Sequence, residues 1–227
     1  MATVDDKSAK PRRWLLWLHR VGYVATALIV AELIAIAYFA TRGWLQDRQI
    51  RSTQIEETRT HEGPLQANED RLVRGSAIYL LQQMQPLDTL HGDGFRFVAM
   101  PSFNRSHFAV VVLMPRLDAA EAEGVLAQFD SQNRYTLINK RPFRMPASAY
   151  RSLVAQMDKL SDGWPGDSGF WLDGTPTAFE RVRGHHVTSG IGNNDHYEQM
   201  AHLVWTYVRQ FAPGKDLPTR GDWEPTD

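Results

Sequence analysis

The stretch GFWLDGTPTAFERVRGHHV, residues 169–187, gathers the side chains best suited to chemistry. Asp173 and Glu180 supply carboxylates, and His185 and His186 supply imidazoles. Such a set can work as general acid and base, or as oxygen and nitrogen ligands of a metal. Each member also has a plainer reading, and the plainer readings carry more weight. Asp173-Gly174 suits a hairpin turn, because Asp-Gly accepts the positive dihedrals such turns need. Glu180, placed on a strand, reads as a surface glutamate or as a structural partner for Arg181 or Arg183. Adjacent histidines on one strand point to opposite faces, so at most one joins a shared site. No metal and no cofactor is expected.

Other motifs carry less. His196 and His202 are spaced to fall on different faces of a helix, which argues against a shared ligand pair. Glu198 and His202 can meet at i,i+4, but Glu198 is read as part of a helix cap. Gly166-Asp167-Ser168-Gly169 resembles the nucleophile loop of serine proteases, yet Phe170 follows and no histidine has a matching context. Arg220-Gly221-Asp222 is a tripeptide short enough to recur by chance. There is no phosphate-binding glycine loop and no zinc-protease helix motif. The absence of cysteine excludes disulfides, thiolate catalysis and cysteine-ligated metal. A net charge of −1 over 227 residues leaves no basic footprint for nucleic acid.

The elements that position these residues follow from periodicity. ANEDRLVRGSAIYLLQQMQ predicts a helix through Val73, Ala77, Leu80, Leu81 and Met84, ended by Pro86. GFRFVAM alternates like a strand, and HFAVVVLMP is a β-branched run that fits a central strand. Asp118 with Glu121 makes a capping box, so DAAEAEGVLAQFD predicts a helix, weakened by Gly124. RYTLIN predicts a strand. MPASAYRSLVAQMDKL predicts a helix with Pro146 in its first turn and Tyr150, Leu153, Val154, Met157 and Leu160 on one face. GFWLDG, TAFERVRG and HHVTSGIG predict three short strands separated by glycine turns. Asp195 with Glu198 opens a last helix whose apolar stripe is Met200, Val204, Tyr207, Val208 and Phe211. Pro213 and Gly214 end it. The order predicts an α+β fold, with one domain over residues 65–214 and a loose tail over 215–227.

The stretch from the helix PASAYRSLVAQMDKL through LDG, Glu180, the Gly184-His185 turn and the closing helix resembles a module of uncharacterised bacterial exported or membrane-anchored proteins. The resemblance covers about residues 145–212. In that module an arginine-tryptophan-serine-proline stretch often follows the histidine, where this chain has TSGIGNND. It implies a small α+β fold and no established activity.

The N-terminal part carries the strongest local signal. The run Val21–Ala40 has Glu32 and the phenols of Tyr23 and Tyr38 as its ionisable groups. At 1.5 Å per residue it spans about 30 Å, the thickness of a bilayer's hydrocarbon core. Trp14 and Trp17 flank one end, and Tyr38 and Trp44 the other, as interfacial anchors do. The expected organisation is a cytoplasmic N-terminus (1–20), a single transmembrane helix (21–41) and a helical juxtamembrane stalk (42–64), with a break at HEGP. Lys7, Lys10, Arg12, Arg13 and Arg20 precede the span, and Arg42, Arg48 and Arg51 follow it. That excess favours a cytoplasmic start and, in a bacterium, a domain in the periplasm anchored to the inner membrane. A cleaved signal peptide competes through Ala35-Ile36-Ala37, but the apolar run continues past it. His19 and Arg20 interrupt the apolar region that a twin-arginine signal at Arg12-Arg13 would need.

Glu32 lies near the middle of the span, where a charge costs about 2.5–3.5 kcal/mol. Its neighbours can absorb that cost. The functional alternative has Glu32 hydrogen-bonding across to another membrane helix, with Ala25, Ala31 and Ala35 on the same side allowing close approach. The expected partners are therefore the lipid bilayer and a protein in or at the membrane, either a second copy of this chain or a multispan protein. The function expected is binding: an accessory subunit of an envelope complex, or an immunity-type inhibitor. The rival is an envelope hydrolase using Asp173, Glu180 and His185 or His186.

Overall fold

The computed structural model of the chain describes residues 10–65, 72–85, 92–102, 104–116, 118–167 and 174–212. It is an α+β protein with a long N-terminal helix and one antiparallel sheet. The chain divides into two compact units, Met1–Ile50 and Arg51–Asp227.

Helix α1 runs from Lys10 to Thr58 without interruption. Its segment Trp17–Glu56 is long and apolar enough to cross a membrane. The apolar character is confined to the first part of that segment, since Arg42, Asp47, Arg48 and Arg51 follow. Trp14, Trp17, Tyr38 and Trp44 are all exposed, as are the aliphatic side chains between them. Thr26 Oγ1 donates to the Gly22 carbonyl and Thr41 Oγ1 to the Ala37 carbonyl, so these hydroxyls are satisfied within the helix. Arg48 lies over the ring of Trp44, 5.6 Å from its centroid.

In the second unit, seven strands pair in the order β1-β7-β6-β2-β3-β4-β5. They are β1 (His61–Glu62), β2 (Asp93–Ala99), β3 (Ser106–Met114), β4 (Glu121–Asp130), β5 (Thr136–Pro146), β6 (Thr177–Arg183) and β7 (His186–Gly192). Helix α2 (Leu72–Gln82) packs on one face through Ala77, Leu80 and Leu81 against Val98, Ala109, Val111 and Ala127. Helices α3 (Ala147–Ser161) and α4 (Asp195–Phe211) cover the other face. Tyr150, Leu153, Met157, Met200 and Val204 meet Phe95, Phe97, Val110 and Phe143 there. Period-2 alternation in β2 and β3 sends neighbouring residues to opposite layers, so both strands are apolar on both faces over most of their length, with Arg96 a charged exception inside β2.

The expected helix over DAAEAEGVLAQFD is strand β4. Its ladder partners are β3 on one side and β5 on the other, so tertiary pairing overrides the helix propensity of its Ala and Glu residues. Gly124, which weakened the helix, is tolerated in the sheet because Phe143 sits directly opposite. A Cβ at position 124 would meet the ring. The aromatic side chain fills the space the glycine leaves. Glu121, assigned to the capping box, instead bridges to Arg144 on β5 at 3.3 Å.

Two smaller corrections concern ends. Pro146 closes β5 and precedes α3 rather than lying in its first turn, with φ −53° and ψ 141°. The cap of α4 is Asn194, one residue before Asp195: its side-chain oxygen accepts from the Tyr197 N–H at 3.3 Å. Gly190 and Gly192 lie within β7, as the strand HHVTSGIG predicts. Both leave room for the buried ring of Tyr197, into which a Cβ at either position would project. Gly184 does take the first position of a two-residue hairpin turn, at φ +61°. The GFWLDG strand, the Pro213-Gly214 stop and the tail lie outside the described residues.

The open edge of the sheet at β5 is guarded. Ala147 N donates to the Ala120 carbonyl, so the odd positions at this end bond inward, toward β4. Pro142 and Pro146 stand at even positions and offer no N–H to a further strand, while Lys140 and Arg144 are exposed between and beside them. Proline and charge on an edge oppose edge-to-edge pairing.

Candidate functional site

Glu180 is 2 % exposed and its carboxylate is fully engaged. It faces the α2 side of the sheet and lies directly across from Arg96 on β2. Arg96 Nε donates to Glu180 Oε2 at 2.9 Å, and Arg96 Nη2 makes a close second contact to the same oxygen. The other oxygen accepts from the Leu65 N–H at 3.1 Å. Arg96 Nη1 donates to the Leu81 carbonyl at 2.9 Å, satisfying one of the last carbonyls of α2. The pair therefore fastens α2 and the chain at Leu65 to the sheet. Glu180 is therefore a buried partner of Arg96, neither a surface glutamate nor a partner of Arg181 or Arg183.

Alternation along β6 and β7 separates the other proposed site residues from Glu180. Glu180 pairs with Ser189, and Arg183 pairs with His186, so Glu180 and His186 project to opposite faces. His185 lies in the turn, and both histidines are exposed. Asp173 lies outside the described residues. No imidazole is thus brought to Glu180 by His185 or His186. Among the described residues, no three His, Asp or Glu side chains are grouped to hold a metal ion.

A second buried charge was not singled out by sequence reading. Arg181, also 2 % exposed, faces α3. Its Nε donates to Asp158 Oδ1 at 3.1 Å, and its Nη1 makes close contacts to Asp93 and to the Val182 carbonyl. Tyr150 donates its phenol proton to Asp93 at 2.7 Å. Burial pushes the Tyr150 phenol well above its ordinary value. Burial likewise raises the Asp158 carboxyl, against the opposing pull of Arg181 and Arg183. Arg183 forks onto both oxygens of Asp162, at 2.9 and 3.0 Å. The alternation that brought Glu180 to one face was a usable signal that Arg181 lies on the other, but its aspartate partners come from β2 and α3.

The network borders a cleft of about 640 Å³. The last turn of α1 contributes Glu56, the residue just beyond it is Arg59, and β1 contributes His61 and Glu62. The loop after α3 contributes Asp162, Trp164 and Pro165, and β7 contributes His186 and Thr188. The walls are tied to each other. Thr58 Oγ1 donates to the Asp167 carbonyl at 3.0 Å and accepts from the Asp167 N–H at 2.8 Å. Thr60 Oγ1 donates to the Ser161 carbonyl at 3.1 Å, and Tyr197 donates its hydroxyl proton to the Thr58 carbonyl at 2.8 Å. Gly166, at φ +89°, passes so close to Ile55 that a Cβ there would meet the Ile55 carbonyl.

Trp164 is the aromatic wall of this cleft. Its ring stacks on His196 at 3.8 Å between centroids, with planes 5° apart, and meets Tyr197 edge-on. Burial lowers the affinity of the His196 imidazole for a proton, opposed by the Leu160 carbonyl and Asp167. The indole is thereby fixed in place.

Glu32, Ala25, Ala31 and Ala35 all lie on α1, and all are exposed within the chain. No protein-family model matches this chain, no curated protein matches it, and no solved structure matches it.

Proposed function

We propose that this chain is a single-pass membrane protein whose second unit binds another molecule outside the cytoplasm, as an accessory subunit of an envelope complex or an immunity-type inhibitor. One observation carries the reading. No residue in the apolar part of α1 is buried within the chain, although burial of apolar side chains is the dominant favourable term in folding. A lipid bilayer supplies the burial that the protein does not. The excess of Lys and Arg before the span favours a cytoplasmic N-terminus and a periplasmic second unit in a bacterial inner membrane. The hydrolase reading loses ground because Glu180 is held in a buried ion pair and His186 faces away from it.

Within the membrane, Glu32 marks the side of the helix that meets a protein partner, with Ala25, Ala31 and Ala35 lining the approach. A photoreactive residue at position 31 in the full chain, activated in native membranes, is expected to capture a discrete partner. Glu32→Leu should reduce that capture several-fold while leaving membrane insertion intact. A capture pattern unchanged by Glu32→Leu would remove the carboxyl from the interface.

A further inference from the structure

We propose that the cleft between the end of α1, β1 and the loop after α3 is a binding site for a neutral saccharide, stacked on Trp164. The inference rests on the second unit alone and is independent of the membrane reading. The volume of about 640 Å³ falls within the range of small-molecule sites. What would occupy it follows from its chemistry.

Charge does not single out an ion. Asp162 is neutralised by its fork to Arg183, which leaves Glu56 and Glu62 against Arg59. A phosphate would meet more negative charge than positive. A metal ion would find no group of three ligands among the described residues. A greasy ligand would touch only Trp164 and Pro165 in a lining that is otherwise polar. What remains is a neutral molecule that needs both donors and acceptors around its rim and an aromatic surface under one face.

A sugar ring has that character, with C–H bonds on one face and hydroxyls around the edge. Glu56 and Glu62 accept from hydroxyls, Arg59 donates to them, the Thr60 hydroxyl is left as an acceptor because its proton goes to the Ser161 carbonyl, and the exposed imidazole of His186 completes the rim. The site is also pre-organised, which reduces the entropy lost on binding. Trp164 rests with one face on His196 and meets Tyr197 edge-on, and the threonine ties at Thr58 and Thr60 hold the two walls together. A half-buried tryptophan fixed this firmly at the side of a polar cleft is an aromatic platform.

The test is calorimetric titration of the full chain in a zwitterionic detergent that carries no sugar. The probes are a β-1,4-linked N-acetylglucosamine trisaccharide and an α-1,4-linked glucose trisaccharide. Inorganic phosphate and a neutral extended hexapeptide are run in parallel. Saturable binding of at least one trisaccharide is expected, weakened about tenfold or more by Trp164→Ala and retained within a few-fold by Trp164→Phe. Trp205→Ala, on α4 away from the cleft, should leave it unchanged. Because Trp164 also packs against the core, the exposed double replacement Arg59→Ala with Glu62→Ala provides a second reading and should weaken binding several-fold. The proposal is overturned if neither trisaccharide binds, if only phosphate or the hexapeptide binds, or if binding persists unchanged in the Arg59/Glu62 double variant.

Discussion

Glu180→Ala is expected to cost the second unit about 3–5 kcal/mol, the usual penalty for stranding one member of a buried ion pair. Domains of this kind are stable by only about 5–15 kcal/mol, so the loss is a large share of the total. The substitution leaves Arg96 buried beside a vacated site and removes the acceptor from the Leu65 N–H. Arg96→Met should be similarly harmful, because it strands the carboxylate instead. The informative variant is the double one, Arg96→Met with Glu180→Ala. It contains no lone charge, so its cost should fall short of the sum of the singles by about 2–3 kcal/mol. It will not be neutral, since Leu65 N–H and the Leu81 carbonyl both lose partners. Urea titration with pulse proteolysis of the full chain reads these differences. Additive losses would mean that the two side chains do not depend on each other.

The second large effect concerns Arg181. Arg181→Leu is expected to cost about 3–5 kcal/mol at neutral pH, because Asp93 and Asp158 lose the guanidinium between them. The deficit should then shrink in mild acid. Burial already raises the Asp158 carboxyl, and Arg181 is the largest influence pulling it back down. Without Arg181 the folded value rises further above that of the unfolded chain. An acid shifted this way binds more protons folded than unfolded, between the unfolded value near about 4 and the higher folded one. Stability is therefore gained as pH falls through the folded value. Urea midpoints at neutral pH and in mild acid should converge between variant and wild type. Midpoints that decline in parallel would show that the aspartates are not what the variant strands.

The two charge pairs mark the limit of what the sequence discloses. Periodicity was enough for the exposed apolar helix, for α3 and α4, and for the central strands β2 and β3, because each of these carries its burial pattern within its own residues. It failed at β4. Local propensity there favoured a helix, whereas pairing with β3 and β5 decided otherwise, and the small-apolar alternation Ala122, Gly124, Leu126 was the signal to weigh against it. The partner of Glu180 could not be read locally either. Arg96 is remote along the chain and comes opposite only through the register of β2 on β6. The cleft is the extreme case. Its walls come from α1, β1, the loop after α3 and β7, segments with no common motif, and Trp164 looks like an ordinary loop residue until His196 is found stacked beneath it.

The partner at Glu32, the envelope setting and the role of a tethered binding unit all depend on the exposed segment after Trp17 residing in lipid. Alkaline carbonate extraction of native membranes, followed by flotation of the pellet through a density gradient, examines that directly. The full chain, including its N-terminal helix, should resist extraction and rise with the vesicles. Release into the supernatant at full strength, or recovery of a mature chain that starts beyond Ala40, would contradict it.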